Sequence, residues 1–134
     1  MIVGMGTDIV EVARVAKLWK ENRAGLERRV FTPAEIAYCE SRHHPEQHLA
    51  ARFAAKEAAL KAFGTGWAKG LGFQDIEVIR PVERGAPLLK FLGAAVVAAQ
   101  KLGIHRSNLS MSHTEQFATA TVVFEKDSSG VTVP

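Results

Sequence analysis

Two acidic residues stand out because each lies in a dense stretch of apolar and small residues. Asp8 lies in the stretch GTDIV (6–10), and Glu57 lies in AAKEAA (54–59). A carboxylate in such surroundings has little water to solvate it and needs a partner of opposite charge. Hard divalent cations are the partners that paired carboxylates bind best. The two positions therefore predict a metal site to which both residues contribute, provided that the fold brings them together.

Both acids also have structural explanations. Asp8 suits the N-cap of a helix predicted over Ile9–Glu21, with Glu11 as the return half of a capping box. Glu57 stands four residues before Lys61, and such a pair on an exposed helix contributes only about 0.2 to 0.5 kcal/mol. For Glu57 we favour a functional role, because its helix is bounded by alanine and aliphatic residues and lacks a broad solvated face.

The elements that would position these residues alternate between strand and helix patterns. Thr32, Pro33 and Glu35 form a strong helix start, and the arginines before them are interpreted as a loop. The predicted strands span residues 2–5, 73–80, 88–92, 108–112 and 117–125; the predicted helices span 9–21, 33–41, 46–63 and 93–102. This order indicates an α+β domain in which an antiparallel sheet packs on a long central helix.

The central helix, residues 46–63, has an unusual angular layout at 100° per residue. Leucine and phenylalanine form one stripe, and six alanines cover most of the opposite half. Glu57 and Lys61 lie on one border of the apolar stripe, and Arg52 and Lys56 lie on the other. We therefore expect close packing of neighbouring backbone against this helix, with charged groups kept at its borders.

Charge is concentrated near the N-terminus. The chain has a formal net charge of +3, and between Arg14 and Arg29 six cations face only two acids. This cluster favours an anionic partner, whose association it would accelerate; the alternative is a solvated basic face. Nucleic acid is not expected as the partner, because Tyr38 is the only tyrosine and aromatic residues do not interleave with the cations.

Histidines and glycines supply weaker signals. His43, His44 and His48 have irregular spacing and lack nearby cysteine or acidic ligands, so we interpret them as solvated loop and helix-start residues. The glycine-rich segment 64–72 matches no phosphate-binding fingerprint, and a flexible connector is its simplest interpretation. His113 stands where one predicted strand ends, so it either reaches a cleft or has a structural role.

Length and composition suit one domain. The 134 residues contain 47% apolar and 23% charged residues, as in ordinary globular proteins. We expect a single domain over residues 1–125 and a frayed tail over 126–134. A single cysteine, Cys39, and the lack of a leader pattern or a membrane-length apolar run indicate a cytoplasmic protein that does not engage a membrane.

Several motifs, in order along residues 1–125, resemble those of the holo-acyl-carrier-protein synthases, the small 4'-phosphopantetheinyl transferases. The resemblance implies the fold of that family and a magnesium-dependent transfer of 4'-phosphopantetheine from coenzyme A to a serine of apo acyl carrier protein. Adenosine 3',5'-bisphosphate would be released. The expected pathway is fatty acid biosynthesis, although the sequence leaves open whether the carrier protein serves fatty acid or polyketide synthesis. The motifs are Gly6-x-Asp8-x5-Arg14, residues 52–62 (RFAAKEAALKA), Asp75-Ile76-Glu77-Val78 and Ser110-Met111-Ser112-His113.

The same resemblance assigns roles to individual residues. Asp8 and Glu57 would hold magnesium, and with Lys61, which would contact phosphate, they form the expected catalytic set. His113 is expected near the nucleotide, and the cofactor-binding set also includes Lys61, Arg52 and Gly64. Arg14 would meet acyl carrier protein, with Lys17 and Lys20 beside it. A homotrimer with sites between subunits is also implied.

Some questions stay open at this level. Either Glu57 or a water molecule could take the proton from the attacking serine. A magnesium-dependent nucleotide hydrolase would use the same two carboxylates, although it would act without any carrier protein. An anion-binding module without enzymatic activity would explain the basic cluster, but it would leave Asp8 and Glu57 without a role.

Overall fold

The structure, a computed structural model, describes residues 1–64, 68–81 and 85–127. Within these ranges the strands are β1 (Ile2–Glu11), β2 (Ile76–Ile79), β3 (Leu88–Phe91), β4 (Ile104–His113) and β5 (Phe117–Lys126). The helices are α1 (Val12–Glu21), α2 (Arg23–Arg29), α3 (Pro33–Glu40), α4 (Pro45–Phe63) and α5 (Ala94–Leu102), and a 3₁₀ turn (Phe73–Asp75) precedes β2. No helix in the described part has the length and apolar character to cross a membrane.

β5 is the central strand of a three-stranded antiparallel sheet in the order β1-β5-β4, and β2 and β3 form a separate antiparallel hairpin. The register places Asp8 of β1 beside Ala120 of β5, which in turn lies beside Met111 of β4. Helix α4 packs across one face of this sheet. An antiparallel sheet on a long helix confirms the predicted α+β architecture.

The small side chains of α4 make this packing close. Ala54, Ala55, Ala58 and Ala59 are fully buried in a cluster with residues of the sheet and of the β2–β3 hairpin. A second cluster lies under α1, α2 and α3 and includes the N-terminal half of α4. Because α4 belongs to both clusters, it is the element that fixes the sheet and the helical layer relative to each other.

The start of α3 confirms the capping prediction, because Thr32 Oγ1 accepts a hydrogen bond from the Glu35 N–H and the Glu35 carboxylate accepts one from the Thr32 N–H. The predicted helix start at Ile9 is wrong. β1 continues to Glu11, since every residue from Gly4 to Glu11 pairs with β5. The backbone hydrogen bonds of this ladder satisfy more polar groups than a helix cap at Asp8 would. Asp8 is therefore a strand residue, and Glu11 occupies the N-cap of α1.

Other boundaries also differ. The segment interpreted as an arginine loop forms α2, whose Arg, Ala, Leu and Glu residues are good helix formers. β4 begins at Ile104 and not at 108. Leu18 of α1, whose apolar side chain would suit the core, is 36% exposed. β5 includes Lys126, the first residue of the predicted tail, and residues 128–134 lie outside the described part. Residues 65–67 of the glycine-rich segment and residues 82–84, between the predicted strands 73–80 and 88–92, also lie outside the described part.

Candidate active site

Asp8, the first predicted site residue, is positioned by the close approach of β1 to α4. Gly4 and Gly6 face the helix, and a Cβ atom at Gly6 would collide with the Ala58 carbonyl oxygen. Alternate residues of a strand share one face, so Asp8, two residues further, lies on the same helix-facing side. The glycines therefore let the strand lie near enough to α4 for its carboxylate to reach side chains of the helix.

Lys61 of α4 makes that contact. Its Nζ lies 2.9 Å from Asp8 Oδ1 and donates a second hydrogen bond, of 3.0 Å, to the Thr7 carbonyl oxygen. The Lys61 side chain is 53% exposed, whereas that of Asp8 is 16% exposed. The ion pair thus joins a mostly buried acid to a cation that remains accessible to a ligand.

Glu57, one turn before Lys61, belongs to the same group of charges. Partial burial and the nearby charge of Asp8 raise its pKa, while the charges of Lys61 and Arg14 oppose that shift. Because the charge of Asp8 raises the proton affinity of Glu57, the two carboxylates lie near each other, and a cation between them would relieve their repulsion. A cavity of about 320 Å³ opens beside them, lined by Glu57, Lys61 and Gly64 together with Leu60 and Ala68. The structure therefore places Glu57, Lys61 and Gly64 at one cavity, with Asp8 paired to Lys61 beside it.

The donor set at this position suits magnesium in one particular way. Among residues 1–64, 68–81 and 85–127, no three or more His, Cys, Asp or Glu side chains are grouped to hold a metal ion. Mg²⁺, however, is commonly bound by one or two carboxylates, with substrate phosphates and water completing its octahedron. The two converging acids fit that mode, in which the ion binds together with a phosphate ligand.

Arg52 and His113 lie at a different cavity. This cavity, of about 130 Å³, lies between the N-terminal half of α4, the end of β4 and the segment after β2, and His48 and Arg80 also line it. Arg52 is 3% exposed, and its Nε atom has no hydrogen-bond partner within the described part of the chain. A buried guanidinium nitrogen without a partner indicates space for an anion.

The histidine interpretation needs correction at one position. His43 and His44 are exposed as predicted, but His48 is partly buried in α4 and its ring packs edge-to-face on that of His113, with centroids 5.2 Å apart. Burial first, and the charges of His113, Arg52, Arg42 and Arg80 after it, lower the pKa of His48 to about 4. The charges that contribute to this shift belong to residues that line or adjoin the cavity.

Three residues of this cavity region were not assigned a site role from the sequence: Tyr38, His48 and Arg80. His48 stands four residues before Arg52 in one helix, so helical spacing alone could have placed the two together. Tyr38 and Arg80 come from α3 and from the end of β2, and no local pattern links those segments. Only the tertiary fold brings them to Arg52.

A fully buried ion pair fixes the helix that carries the site. Lys56 Nζ lies 2.8 Å from Glu35 Oε1 and donates to the carbonyl oxygens of Phe73 and Ile76 at 3.0 and 2.6 Å. Glu35 Oε2 accepts the Val78 N–H at 2.8 Å. Burial lowers the pKa of Lys56, and the charge of Glu35 opposes that shift. The pair ties α4 to α3 and β2, next to Glu57.

The predicted partner surface is exposed on α1. Arg14, Lys17 and Lys20 are all exposed, and Arg14 also lines a shallow cavity beside Phe117 at the end of the sheet. Arg14 is close enough to Glu57 to affect the proton affinity of that carboxylate. The basic face of α1 therefore borders the Asp8–Glu57–Lys61 cavity.

Comparison with known proteins identifies relatives over nearly the whole chain. Residues 4–122 match the model of the 4'-phosphopantetheinyl transferase superfamily. A holo-[acyl-carrier-protein] synthase of Koribacter versatilis is 49% identical over 125 residues, which cover 93% of this chain and 99% of that protein. One of Geobacter sp. (strain M21) is 44% identical over 126 residues, covering 94% of this chain and 100% of the relative.

Solved structures of proteins with the same name superpose on this chain. The Bacillus anthracis holo-(acyl-carrier-protein) synthase in complex with CoA (3',5'-ADP) superposes with a TM-score of 0.75 at 38% identity, covering 95% of this chain and 99% of the other. The Helicobacter pylori holo-[acyl-carrier-protein] synthase in complex with coenzyme A gives a TM-score of 0.77 at 32% identity, covering 90% and 99%. Both proteins have the α+β architecture described above.

Proposed function

Because the chain belongs to the 4'-phosphopantetheinyl transferase superfamily and is a phosphopantetheinyl transferase of the holo-[acyl-carrier-protein] synthase type, we propose that it moves 4'-phosphopantetheine from coenzyme A to a serine of apo acyl carrier protein, with release of adenosine 3',5'-bisphosphate. The observation that carries this proposal is that Glu57 and Lys61 line one open cavity and that Lys61 holds the Asp8 carboxylate beside it. The proposed transferase unit spans residues 1–125.

Charge balance at this cavity explains why a metal ion is proposed. Two carboxylates facing a diphosphate would repel it, by up to about 4 kcal/mol for each pair of unit charges at 4 Å and an effective dielectric constant near 20. Asp8 and Glu57 would hold Mg²⁺, which when bound neutralises phosphate charge and polarises the phosphoryl group. Lys61, which is exposed, can leave Asp8 for a phosphate oxygen without being drawn from a buried position.

The proposed transfer needs few further groups from the protein. The serine oxygen forms a bond to the β-phosphorus of coenzyme A, and the bond from that phosphorus to the oxygen of the departing adenosine 3',5'-bisphosphate breaks. Positioning and charge stabilisation dominate such transfers, so the protein supplies no nucleophile of its own. The serine proton would pass to Glu57 or to a water molecule beside it.

The second cavity is proposed to bind the nucleotide end of coenzyme A through Arg52 and His113. This cavity and the Asp8–Glu57–Lys61 cavity have no lining residue in common, and β1 and β4 occupy opposite edges of the sheet. One coenzyme A molecule would contact both sites if neighbouring subunits brought them together. We therefore propose a homotrimer with intersubunit sites. The solvent-facing side of the sheet supports it, because Met5, Ile9 and Phe117 are 62%, 62% and 44% exposed there.

The basic face of α1, with Arg14, Lys17 and Lys20, is the proposed docking surface for the carrier protein. The family resemblance implies that acyl carrier proteins present an acidic helix, so the charges of the two surfaces are complementary and would mainly accelerate association.

Fatty acid biosynthesis is the proposed pathway and the cytoplasm the proposed compartment, where a single buried cysteine such as Cys39 stays reduced.

Mass spectrometry of an apo carrier protein tests the proposal directly. We expect incubation with coenzyme A, Mg²⁺ and this protein to add one phosphopantetheine to the carrier, and chelation of the metal to abolish the gain. Release of adenosine 3',5'-bisphosphate without a carrier would favour the hydrolase alternative. Coenzyme A binding with neither product would favour an anion-binding module. Either result overturns the proposed transfer.

A further inference from the structure

Tyr38 organises the cationic cavity that contains Arg52. It stands in the last turn of α3, and its hydroxyl oxygen accepts a hydrogen bond of 2.7 Å from Arg80 Nη1. Arg80 is held at a second atom as well, since its Nε donates to the Gly85 carbonyl oxygen at 3.0 Å. Two anchors on one guanidinium leave this side chain few alternative positions.

The ring of Tyr38 holds the neighbouring guanidinium. The Arg52 guanidinium carbon lies 4.2 Å from the ring centroid, and the Arg42 guanidinium carbon lies 5.7 Å from it. Aromatic faces attract cations through the ring quadrupole, and the attraction strengthens where water is excluded. Arg52 is almost completely buried, so this contact is the stronger of the two. The ring also packs edge-to-face on that of His48, with centroids 5.9 Å apart, so Tyr38 contacts three of the four cationic or titratable residues that line the cavity.

The choice of tyrosine has an electrostatic consequence. Arg52, Arg80, His48 and His113 line the cavity, and none of the described lining residues is a carboxylate. An aspartate or glutamate could also hold the arginines, but it would cancel their charge. Tyrosine gives a hydrogen-bond acceptor and a π-face while it remains neutral. The two guanidinium groups are therefore positioned before a ligand arrives, and the positive potential of the cavity is preserved.

The proposed co-substrate identifies the anion. Coenzyme A carries a diphosphate, which the Asp8–Glu57–Lys61 site is proposed to bind, and one further anionic group, the 3'-phosphate of its ribose. A phosphate monoester carries about −1.5 to −2 charges near neutral pH and matches the planar fork of arginine. A cavity with two fixed guanidinium groups suits this dianion better than any neutral part of the molecule.

We propose that Arg80 is a ligand of the 3'-phosphate of coenzyme A and that Tyr38 is the positioning residue which holds Arg80 and Arg52 for it. This inference rests on the proposed function, because that function selects coenzyme A as the ligand. It predicts that the cavity discriminates coenzyme A from 3'-dephospho-coenzyme A, which is identical apart from the one phosphate. It also predicts that the Tyr38 hydroxyl acts only through Arg80.

Isothermal titration calorimetry with the two ligands tests the inference without requiring turnover. We expect the wild type to bind coenzyme A more tightly than the dephospho compound. Tyr38→Phe, which keeps the ring and removes the hydroxyl, should weaken coenzyme A binding by about 5- to 10-fold and change dephospho-coenzyme A binding less than about twofold. Arg80→Gln should act in the same direction. Arg106→Gln is the matched control, because Arg106 is exposed near the start of β4, at the end of that strand away from His113, and does not line the cavity; its expected effect is under about twofold.

A double-variant cycle separates positioning from general damage. If Tyr38 acts through Arg80, adding Tyr38→Phe to Arg80→Gln causes little further loss of coenzyme A affinity. Equal weakening for both ligands, additive losses, or a wild type that binds both ligands equally would overturn the inference. Failure of phosphopantetheine transfer in the mass-spectrometric experiment would instead overturn the proposed function, while the difference in affinity between the two ligands would still be measurable.

Discussion

The amino group of Lys61 lies 2.9 Å from a carboxylate oxygen of Asp8, although 53 residues separate them in the chain. The pair connects the edge strand β1 to the central helix α4, on the side where Glu57 and Gly64 open onto a cavity. Without a bound phosphate, the lysine balances part of the carboxylate charge. A diphosphate would offer it a stronger partner, and Asp8 would then be available to a metal ion.

Asp8→Asn and Glu57→Gln should each lower kcat/KM for carrier modification by about 100-fold or more, the scale seen when a preorganised charge at a reacting group is removed. Neither change alters side-chain volume, so we expect Tm to stay within a few degrees of the wild type. Glu11→Gln is the matched control, because Glu11 caps α1 without a side-chain hydrogen bond. An Asp8→Asn enzyme with full activity would show that the Asp8 carboxylate has only a structural role.

Lys56 and Lys61 provide a matched comparison on one helix, since the first side chain is fully buried and the second is 53% exposed. Lys56→Met leaves Glu35 buried without its cation and should cost about 3 to 5 kcal/mol of unfolding free energy. Lys61→Met should change stability by less than about 1 kcal/mol but reduce transfer strongly. Urea denaturation and a transfer assay measure both quantities. Equal stability losses would contradict the proposed division of roles.

The sequence anticipates α3, α4 and α5 well, but it misses α2 and misplaces the β1–α1 junction. The helix start at Thr32 is a local signal that the structure confirms, and the predicted end of α5 at residue 102 coincides with its C-cap, the left-handed Gly103. Asp8 and Glu11 present an equally good local capping pattern, yet β1 continues past them. Pairing with β5, more than 100 residues away, decides that boundary, and no local window contains that information.

For the site, local spacing identifies the residues but not their grouping. Glu57 and Lys61 lie one turn apart in the C-terminal half of α4, and Gly64 is the C-cap of that helix, so their proximity follows from helical periodicity. That Asp8 joins them depends on the close approach of two glycines to α4. Tyr38 and Arg80 meet only because α3 and β2 pack beside each other, a contact that the buried Glu35 carboxylate stabilises by accepting the Val78 N–H.

Gly6→Ala should destabilise the protein by about 1 to 3 kcal/mol, as overpacking does in a close-packed interior. The added methyl group would meet the Ala58 carbonyl oxygen and push β1 away from α4, so the transfer rate should fall as Asp8 moves from Lys61. Gly70→Ala is the control, because a Cβ atom there meets nothing within 4 Å. Thermal unfolding of both variants checks this; equal Tm values would show that the glycine contact is dispensable.

Arg14→Glu should raise KM for the carrier protein far more than KM for coenzyme A, because it reverses a charge on the proposed docking face of α1. The difference should shrink as salt is added, since exposed charges are screened over about 8 Å at physiological ionic strength. Lys90→Glu reverses a similar exposed charge on the β2–β3 hairpin and should leave carrier KM nearly unchanged. Equal effects of Arg14→Glu on both substrates would argue against docking at this face.

His48 should make the folded state sensitive to mild acid. Its pKa is lowered from 6.5 to about 4, chiefly by burial and then by the charges of His113, Arg52, Arg42 and Arg80. Between these two values the unfolded chain binds more protons than the folded chain, so unfolding free energy falls as pH decreases from about 6.5 towards 4.

Urea denaturation at pH 7 and pH 5 therefore gives a measurable difference in stability, and His48→Gln should reduce that difference. His105→Gln, which removes an exposed histidine at the start of β4, should retain it. Occupation of the cavity by a phosphate dianion would favour the protonated imidazole, so saturating coenzyme A should also reduce the acid sensitivity of the wild type. Identical pH dependence in wild type and His48→Gln would show that this histidine is not held neutral by the cavity.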